Sequence, residues 1–232
     1  MPYFYGFDST YILVLVGVVL SLWASSRVKS TYAKYSREAS LSGMTGAQAA
    51  QRILSMAGIY DVTIRHVSGN LTDHYDPRNK TLNLSDSVYG NASVAAVGVA
   101  AHECGHAIQH DRGYVPLKLR SAIAPAANIG ANISWPLILI GLLLGGSGVL
   151  IQIGILMFSL AVAFQLVTLP VEYNASSRAM EMLSETGVLY QEELPKTRKV
   201  LNAAALTYVA AAASSILQLL RLVLLFGNRR RD

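Results

Sequence analysis

The stretch "SAIAPAANIGANISWPLILIGLLLGGSGVLIQIGILMFSLAVAFQLVTLPV", residues 121–171, contains no Asp, Glu, Lys, Arg or His. One helix that crosses a bilayer needs about 20 apolar residues, so this stretch is long enough for two. The glycine-rich "GGSG" at residues 145–148 supplies a break between them. We therefore predict a transmembrane hairpin over residues 121–171. Pro170, near its end, either kinks the last span or begins a new helix.

The composition of the whole chain agrees with a membrane protein. Of its 232 residues 52% are hydrophobic and only 14% are charged, and the mean hydropathy of +0.37 is too high for one ordinary soluble domain. The net charge of +5 comes from cations spread along the chain, apart from Arg229, Arg230 and Arg231. No nucleic-acid motif accompanies them, so a bilayer, not nucleic acid, is the expected partner.

Two further apolar segments lie near the ends of the chain. Residues 10–26, "TYILVLVGVVLSLWASS", are uncharged, and the cations that follow them are Arg27, Lys29, Lys34 and Arg37. Because no Lys or Arg precedes this span, the positive-inside bias places the next segment in the cytoplasm. Residues 201–227 are apolar apart from Arg221. They either cross the membrane or lie along its interface, which gives three or four transmembrane helices in all.

Most polar residues fall in residues 30–120, where the pattern predicts a small α+β domain. Thr45 is a candidate N-cap of a short amphipathic helix that stops at Gly58. The segments "DVTIRHV", "LTDHY" and "TLNLS" are typical of short strands separated by turn residues, and we expect an antiparallel sheet. The last of them is a candidate edge for an extended substrate, or simply a sheet edge. A helix should then run from an N-cap at Asn91 to Gly113.

That helix carries "HECGH", residues 102–106. His102 and His106 are four residues apart, so their rings project from one face of a helix, as two ligands of one zinc ion must. Glu103 lies between them in sequence and is positioned to take a proton from water. The helix also contains residues small enough for close packing: Ala101, Cys104, Gly105 and Ala107.

A zinc site needs a third protein ligand. His110 repeats the i+4 step but lies about 12 Å along the axis from His102, too far to share one ion. His66 and His74 fall on strands near turns, where solvated or hydrogen-bonded histidines are common. Glu172 is the acidic candidate: it ends the uncharged stretch, and a two-span hairpin returns it to the side where the histidines lie.

With these residues in place, the chain resembles the YugP-type neutral zinc metallopeptidases of prokaryotic membranes. The resemblance rests on "TGAQAAQRIL", "LTDHYDPRNKTLNLS", "VAAHECGHAIQ", "LPVEYNASSRA" and the arginine-rich end. It implies a multi-pass zinc endopeptidase of the gluzincin type in the cell membrane, acting on proteins or peptides. The resemblance also implies that His102, His106 and Glu172 are the zinc ligands and that Glu103 is the general base.

The chain is similar, more distantly, to the HtpX-type membrane peptidases, which have an aspartate four residues after the ligand glutamate. Ser176 occupies that position here, which puts the aspartate's hydrogen bond to a ligand histidine in doubt. The group that would stabilise the tetrahedral intermediate is open, because Tyr173 and Arg178 are equally consistent with interfacial anchoring and surface pairing. Cys104 points away from the histidine face and should pack as a small hydrophobe.

The predicted architecture is an α+β membrane protein, mostly helical, with a small zincin-like domain made of a short antiparallel sheet and the HExxH helix. Its parts are a first transmembrane helix over 1–29, the zincin-like half over 30–120, the hairpin over 121–171, a helix bearing Glu172 over 172–200, and an apolar helix with a basic tail over 201–232. The rival functions are a membrane chaperone or adaptor with a metal site, and an ion transporter. The open metal position argues against the first, and the few spans argue against the second.

Overall fold

The computed structural model describes residues 8–227, so the basic tail that includes Arg229 lies outside the described residues. Within this range the chain forms six helices and three strands. In chain order they are α1 (Tyr11–Tyr35), α2 (Gly46–Met56), β1 (Thr63–Val67), β2 (His74–Asp76), β3 (Thr81–Ser85), α3 (Val94–Asp111), α4 (Val115–Leu143), α5 (Gly148–Thr186) and α6 (Leu194–Phe226). The protein is therefore a mostly helical α+β protein.

The chain divides into two compact units. Among the described residues, the apolar unit consists of residues 8–25, Leu119–Leu169 and residues 207–227. The polar unit consists of Ser26–Lys118 and Pro170–Leu206. Helices α1, α4, α5 and α6 contribute residues to both units.

Among residues 8–227 four helices, α1, α4, α5 and α6, are long and apolar enough to cross a membrane, judged by length and composition. The predicted break between the hairpin helices is confirmed, because α4 ends at Leu143 and α5 begins at Gly148. Pro170 does not begin a new helix: it lies inside α5. In the apolar unit the hydroxyl groups of Ser21 and Ser214 lie 3.0 Å apart, and Arg221 stacks over the ring of Tyr11.

The three strands form one mixed sheet in the order β1-β3-β2. β2 pairs with β3 in the expected antiparallel sense, but β1 pairs with β3 in parallel, so the expectation of an entirely antiparallel sheet was wrong in this detail. The reason is that the chain does not turn back beside β1 in a tight hairpin. It continues beyond the position of β3, so that β2 lies on the far side of β3 from β1. β3, "TLNLS", is consequently the central strand and cannot be the free edge we predicted.

Local capping explains where the helices of the polar unit begin. The side chain of Thr45 accepts a hydrogen bond from the backbone of Gln48, whose own side chain accepts one from the Thr45 backbone. This capping box confirms the predicted start of α2. The start of α3 differs from the prediction: Ser93 is the N-cap, because Asn91 uses its side-chain oxygen to accept from the Ser93 backbone. α3 ends at Asp111, and Gly113 just beyond it has a left-handed backbone conformation that favours glycine.

Candidate metal centre

Helices α3 and α5 approach each other closely at the "HECGH" segment. A methyl group at Gly105 would lie 2.4 Å from the carbonyl oxygen of Ala175, so only glycine allows this approach. Ala175 is three residues after Glu172 and therefore lies close to it on α5. The glycine inside the motif thus lets the histidine-bearing helix pack directly against the helix that carries Glu172.

His102, His106 and Glu172 come together between these two helices. Each offers one ligand atom, and the three atoms all lie within 4.8 Å of one another. Glu172 Oε2 is 3.2 Å from His102 Nε2 and 3.5 Å from His106 Nε2. Ligands at ~2.0–2.2 Å from a tetrahedral zinc ion lie roughly 3.4 Å apart, so the two distances from Glu172 fit Zn²⁺, as do the donor types of all three residues. Among residues 8–227 they form the one group of this kind.

The opposite nitrogen of each histidine ring is held by a polar side chain. His102 Nδ1 lies 3.1 Å from the hydroxyl oxygen of Ser176, so a hydrogen-bonding group contacts this ring although residue 176 is a serine. His106 Nδ1 donates to Gln109 Oε1 at 3.0 Å, and this bond fixes the ring with Nε2 turned toward Glu172. Both contacts orient the rings toward a common point.

Gln109 is a residue that sequence reasoning missed. It is completely buried, and its side-chain amide donates to the carbonyl of Val171 at 2.8 Å and to Asn174 Oδ1 at 3.0 Å. It therefore ties His106 to the turn of α5 that carries Glu172. The available signal was a glutamine three residues after His106, on the same helical face.

Glu103 lies outside the group of three candidate ligands. Its side chain is buried, and its Oε2 accepts a hydrogen bond of 3.0 Å from the backbone N–H of Tyr75 in β2. No hydrogen bond is found for its other carboxylate oxygen within residues 8–227. One oxygen is thus anchored by the sheet, and the other is available to accept a proton.

Burial and charge act on the site in opposite directions. Burial on its own lowers the pKa of His106, but the hydrogen bond to Glu172 and the charges of Glu103 and Glu172 outweigh it and raise the pKa. The pKa of the Cys104 thiol is raised well above its usual value, first by burial and then by the charge of Glu103. Cys104 is fully buried in the hydrophobic core, as expected of a small apolar residue.

The remaining histidines lie outside the candidate centre. His110 Nδ1 lies 2.9 Å from the hydroxyl oxygen of Tyr75. His66 Nε2 contacts Asp86 at 2.6 Å, and His74 Nε2 lies 3.2 Å from the side-chain amide of Asn83.

The two candidates for stabilising a reaction intermediate lie on α5 after Glu172. Arg178 donates from Nε to Asn174 Oδ1 at 2.8 Å and stacks over the ring of Tyr114. Because Asn174 also accepts from Gln109, Arg178 is connected to the network behind His106. Tyr173 is exposed and lines a separate groove beside Ser176.

His102 and His106 lie one helical turn apart and meet Glu172, and among the described residues four helices are long and apolar enough to cross a membrane. These features are those of a membrane protein with a candidate metal centre of the HExxH type. The chain belongs to the family described as "Putative neutral zinc metallopeptidase", whose model matches residues 10–227. It is 49% identical over 220 residues to the "Putative membrane protease YugP" of Bacillus subtilis (strain 168), covering 95% of this chain and 97% of that protein. No solved structure matches the chain.

Proposed function

We propose that this protein is a membrane-embedded zinc endopeptidase of the gluzincin type, with His102, His106 and Glu172 as metal ligands and Glu103 as general base. The observation that carries the proposal is the convergence of the three ligand atoms between α3 and α5. Family membership supports zinc as the metal and proteins or peptides as the substrates.

Zinc, when bound, supplies the Lewis acidity that polarises a peptide carbonyl and activates water for attack. The protein's own residues do the rest. Glu103, anchored through Oε2 to the Tyr75 backbone, takes the proton of the attacking water on its other oxygen and delivers it to the leaving amine. Ser176 and Gln109 keep the two imidazole rings oriented.

The rival reading is a membrane chaperone or adaptor that keeps a metal for structure alone. Structural zinc sites are closed by four protein ligands, whereas this group has three. A separate carboxylate held beside the group, as Glu103 is, has a use in hydrolysis and none in a purely structural site. The arrangement therefore favours the peptidase.

The test compares the wild-type chain with Glu103→Gln in detergent or nanodiscs, using an unfolded protein as substrate. We expect Glu103→Gln to retain about one zinc per chain while hydrolysis falls by the ~10²- to 10⁴-fold typical of a lost acid-base catalyst. A chelator should abolish wild-type hydrolysis, and added zinc should restore it.

Near-normal turnover by clean, folded Glu103→Gln protein would sink the mechanism. A wild-type protein that binds zinc, folds and protects clients from aggregation, but cleaves none of them, would favour the chaperone. Proteomic comparison of cells that contain wild-type or Glu103→Gln protein then identifies substrates, because only the wild type removes them.

We further propose that the polar unit, and with it the active site, faces the cytoplasm of a prokaryotic cell. The support is the row of cations that begins at Arg27, directly after the first span, whereas residues 1–9 contain no Lys or Arg. In a Cys104→Ala background, Arg78→Cys on the polar unit should resist an impermeant maleimide in intact cells and react after lysis. Ser9→Cys, before the first span, should react in intact cells. The reverse pattern would invert the topology.

A further inference from the structure

The polar unit contains a cavity of about 530 Å³ between α1 and α6, distinct from the candidate metal centre. Its walls come from the C-terminal half of α1 and the first half of α6. The residues that matter here are Arg27, Ser30 and Lys34 on α1, and Lys199, Asn202 and Leu206 on α6. Three of these six are cations and two are neutral hydrogen-bonding groups, and among the residues that the structure describes no acidic one lines the cavity.

The three cations have no acidic partner among the described residues. None of the three, Arg27, Lys34 and Lys199, forms an ion pair within residues 8–227, and all of them are exposed. By contrast, Lys196, one turn before Lys199 on α6, pairs with Glu38 at 2.7 Å. Cations that share one cavity repel each other, and a bound anion would relieve that repulsion.

Along the chain, the residues that line the cavity adjoin segments of α1 and α6 that are apolar enough to span a bilayer. Arg27 comes immediately after the uncharged residues 10–26 on the continuous helix α1. Leu206, with Ala203, gives the cavity an apolar wall and is the last residue of the polar unit before α6 enters the apolar unit. A ligand with an anionic end and an apolar end matches this order of residues.

We propose that this cavity binds the phosphate of an anionic phospholipid headgroup. Arg27, Lys34 and Lys199 neutralise the phosphate, Asn202 donates a hydrogen bond to one of its oxygens, and the acyl chains leave past Leu206. Ser30 donates to the Arg27 carbonyl at 3.1 Å and would have to turn its hydroxyl from that carbonyl to bond the phosphate. Basic pockets beside membrane helices on the cytoplasmic side recognise lipid headgroups by the same chemistry. The phosphate is the recognised group, so a free phosphate ion is the competing ligand.

The test is native mass spectrometry of the full chain with phosphatidylglycerol, with phosphatidylcholine and with inorganic phosphate, at about 0.5 M salt to screen diffuse surface attraction. The variant is Arg27→Gln/Lys34→Gln/Lys199→Gln. A matched control, Lys29→Gln/Arg37→Gln/Arg65→Gln, removes the same charge from exposed residues that do not line the cavity. Circular dichroism melts and zinc content establish that both proteins are folded.

We expect one phosphatidylglycerol to bind the wild type and the control in preference to phosphatidylcholine. Its affinity should fall on the order of 100-fold in the cavity variant, because three charge-assisted contacts to the phosphate are lost at once. Equal retention of phosphatidylglycerol by cavity variant and control would overturn the proposal. So would a site that inorganic phosphate fills as readily as the lipid, since that result assigns the cavity to a soluble anion.

Discussion

The two units bury their large apolar side chains to different extents. In the polar unit, large aliphatic side chains such as Ile53, Leu82 and Leu84 are completely buried around α2, α3 and the sheet. In the apolar unit the side chains of Leu139 and Leu143 are 57% and 77% exposed. Exposed leucines on a helix long enough to span a bilayer are expected if lipid, not water, is the solvent.

The difference indicates which unit can hold functional side chains in fixed positions. A membrane helix surrounded by lipid gains little from burying leucine against another helix, because lipid tails are equally apolar. The larger hydrophobic core lies in the polar unit, and that core fixes α3 in place under the sheet. His102, His106 and Glu103 all depend on the placement of α3.

The largest expected effect is at Glu172, the candidate ligand that α5 brings to α3. Glu172→Ala should reduce bound zinc from about one per chain to near zero and lower hydrolysis by about 10³-fold or more, because the metal contributes several kcal/mol to the reaction. Glu172→His should recover part of the zinc. Metal content by mass spectrometry and a peptidase assay on folded protein measure both quantities.

His110→Ala is the matched control for the ligand assignment. His110 is on the same helix as the candidate ligands but contacts Tyr75, so its loss should change zinc content and hydrolysis only modestly. Full zinc in Glu172→Ala together with loss of zinc in His110→Ala would show that the third ligand is His110. The centre would then depend on α3 alone and not on its packing against α5.

Local patterns in the sequence predicted those features that depend on neighbours along the chain. The i, i+4 spacing put His102 and His106 on one helical face, and the uncharged stretch before Glu172 marked that carboxylate as a candidate for the same site. The sheet order was not predictable, because it depends on the path the chain takes between β1 and β2, which no periodicity encodes. The link that Gln109 makes from His106 to α5 was missed because two of its three partners, Val171 and Asn174, are distant in sequence.

The second prediction compares the stability effect of the same leucine-to-alanine substitution in the two units. Leu82→Ala leaves a cavity in the core of the polar unit and should cost about 2–5 kcal/mol of unfolding free energy. Leu139→Ala removes the same atoms from an exposed position of the apolar unit, where the change should remain within about 0.5 kcal/mol. Pulse proteolysis in denaturant, on each variant in the same detergent, measures both. Similar losses in the two variants would mean that Leu139 is buried in the native assembly.

The smallest expected effect concerns Gln109, which joins the core of the polar unit to the candidate metal centre. Gln109→Ala removes the acceptor that fixes the proton on His106 Nδ1 and also breaks the bond to Val171. Loss of a group that orients a metal ligand weakens metal binding by about 10- to 100-fold. Zinc affinity from competition with a chelator measures the effect.

A buried glutamine also fills space, so a matched control must separate packing from orientation. Ile108→Ala opens a cavity one residue earlier on α3, at a side chain that is 5% exposed and belongs to the hydrophobic core. It should lower the melting temperature while zinc affinity per folded molecule stays near the wild-type value. Gln109→Glu keeps an acceptor for His106 but cannot donate to the Val171 carbonyl, so it should recover part of the lost affinity. If Ile108→Ala weakened zinc binding as much as Gln109→Ala did, the glutamine would contribute by packing, and the orientation of His106 would have to come from Glu172 alone.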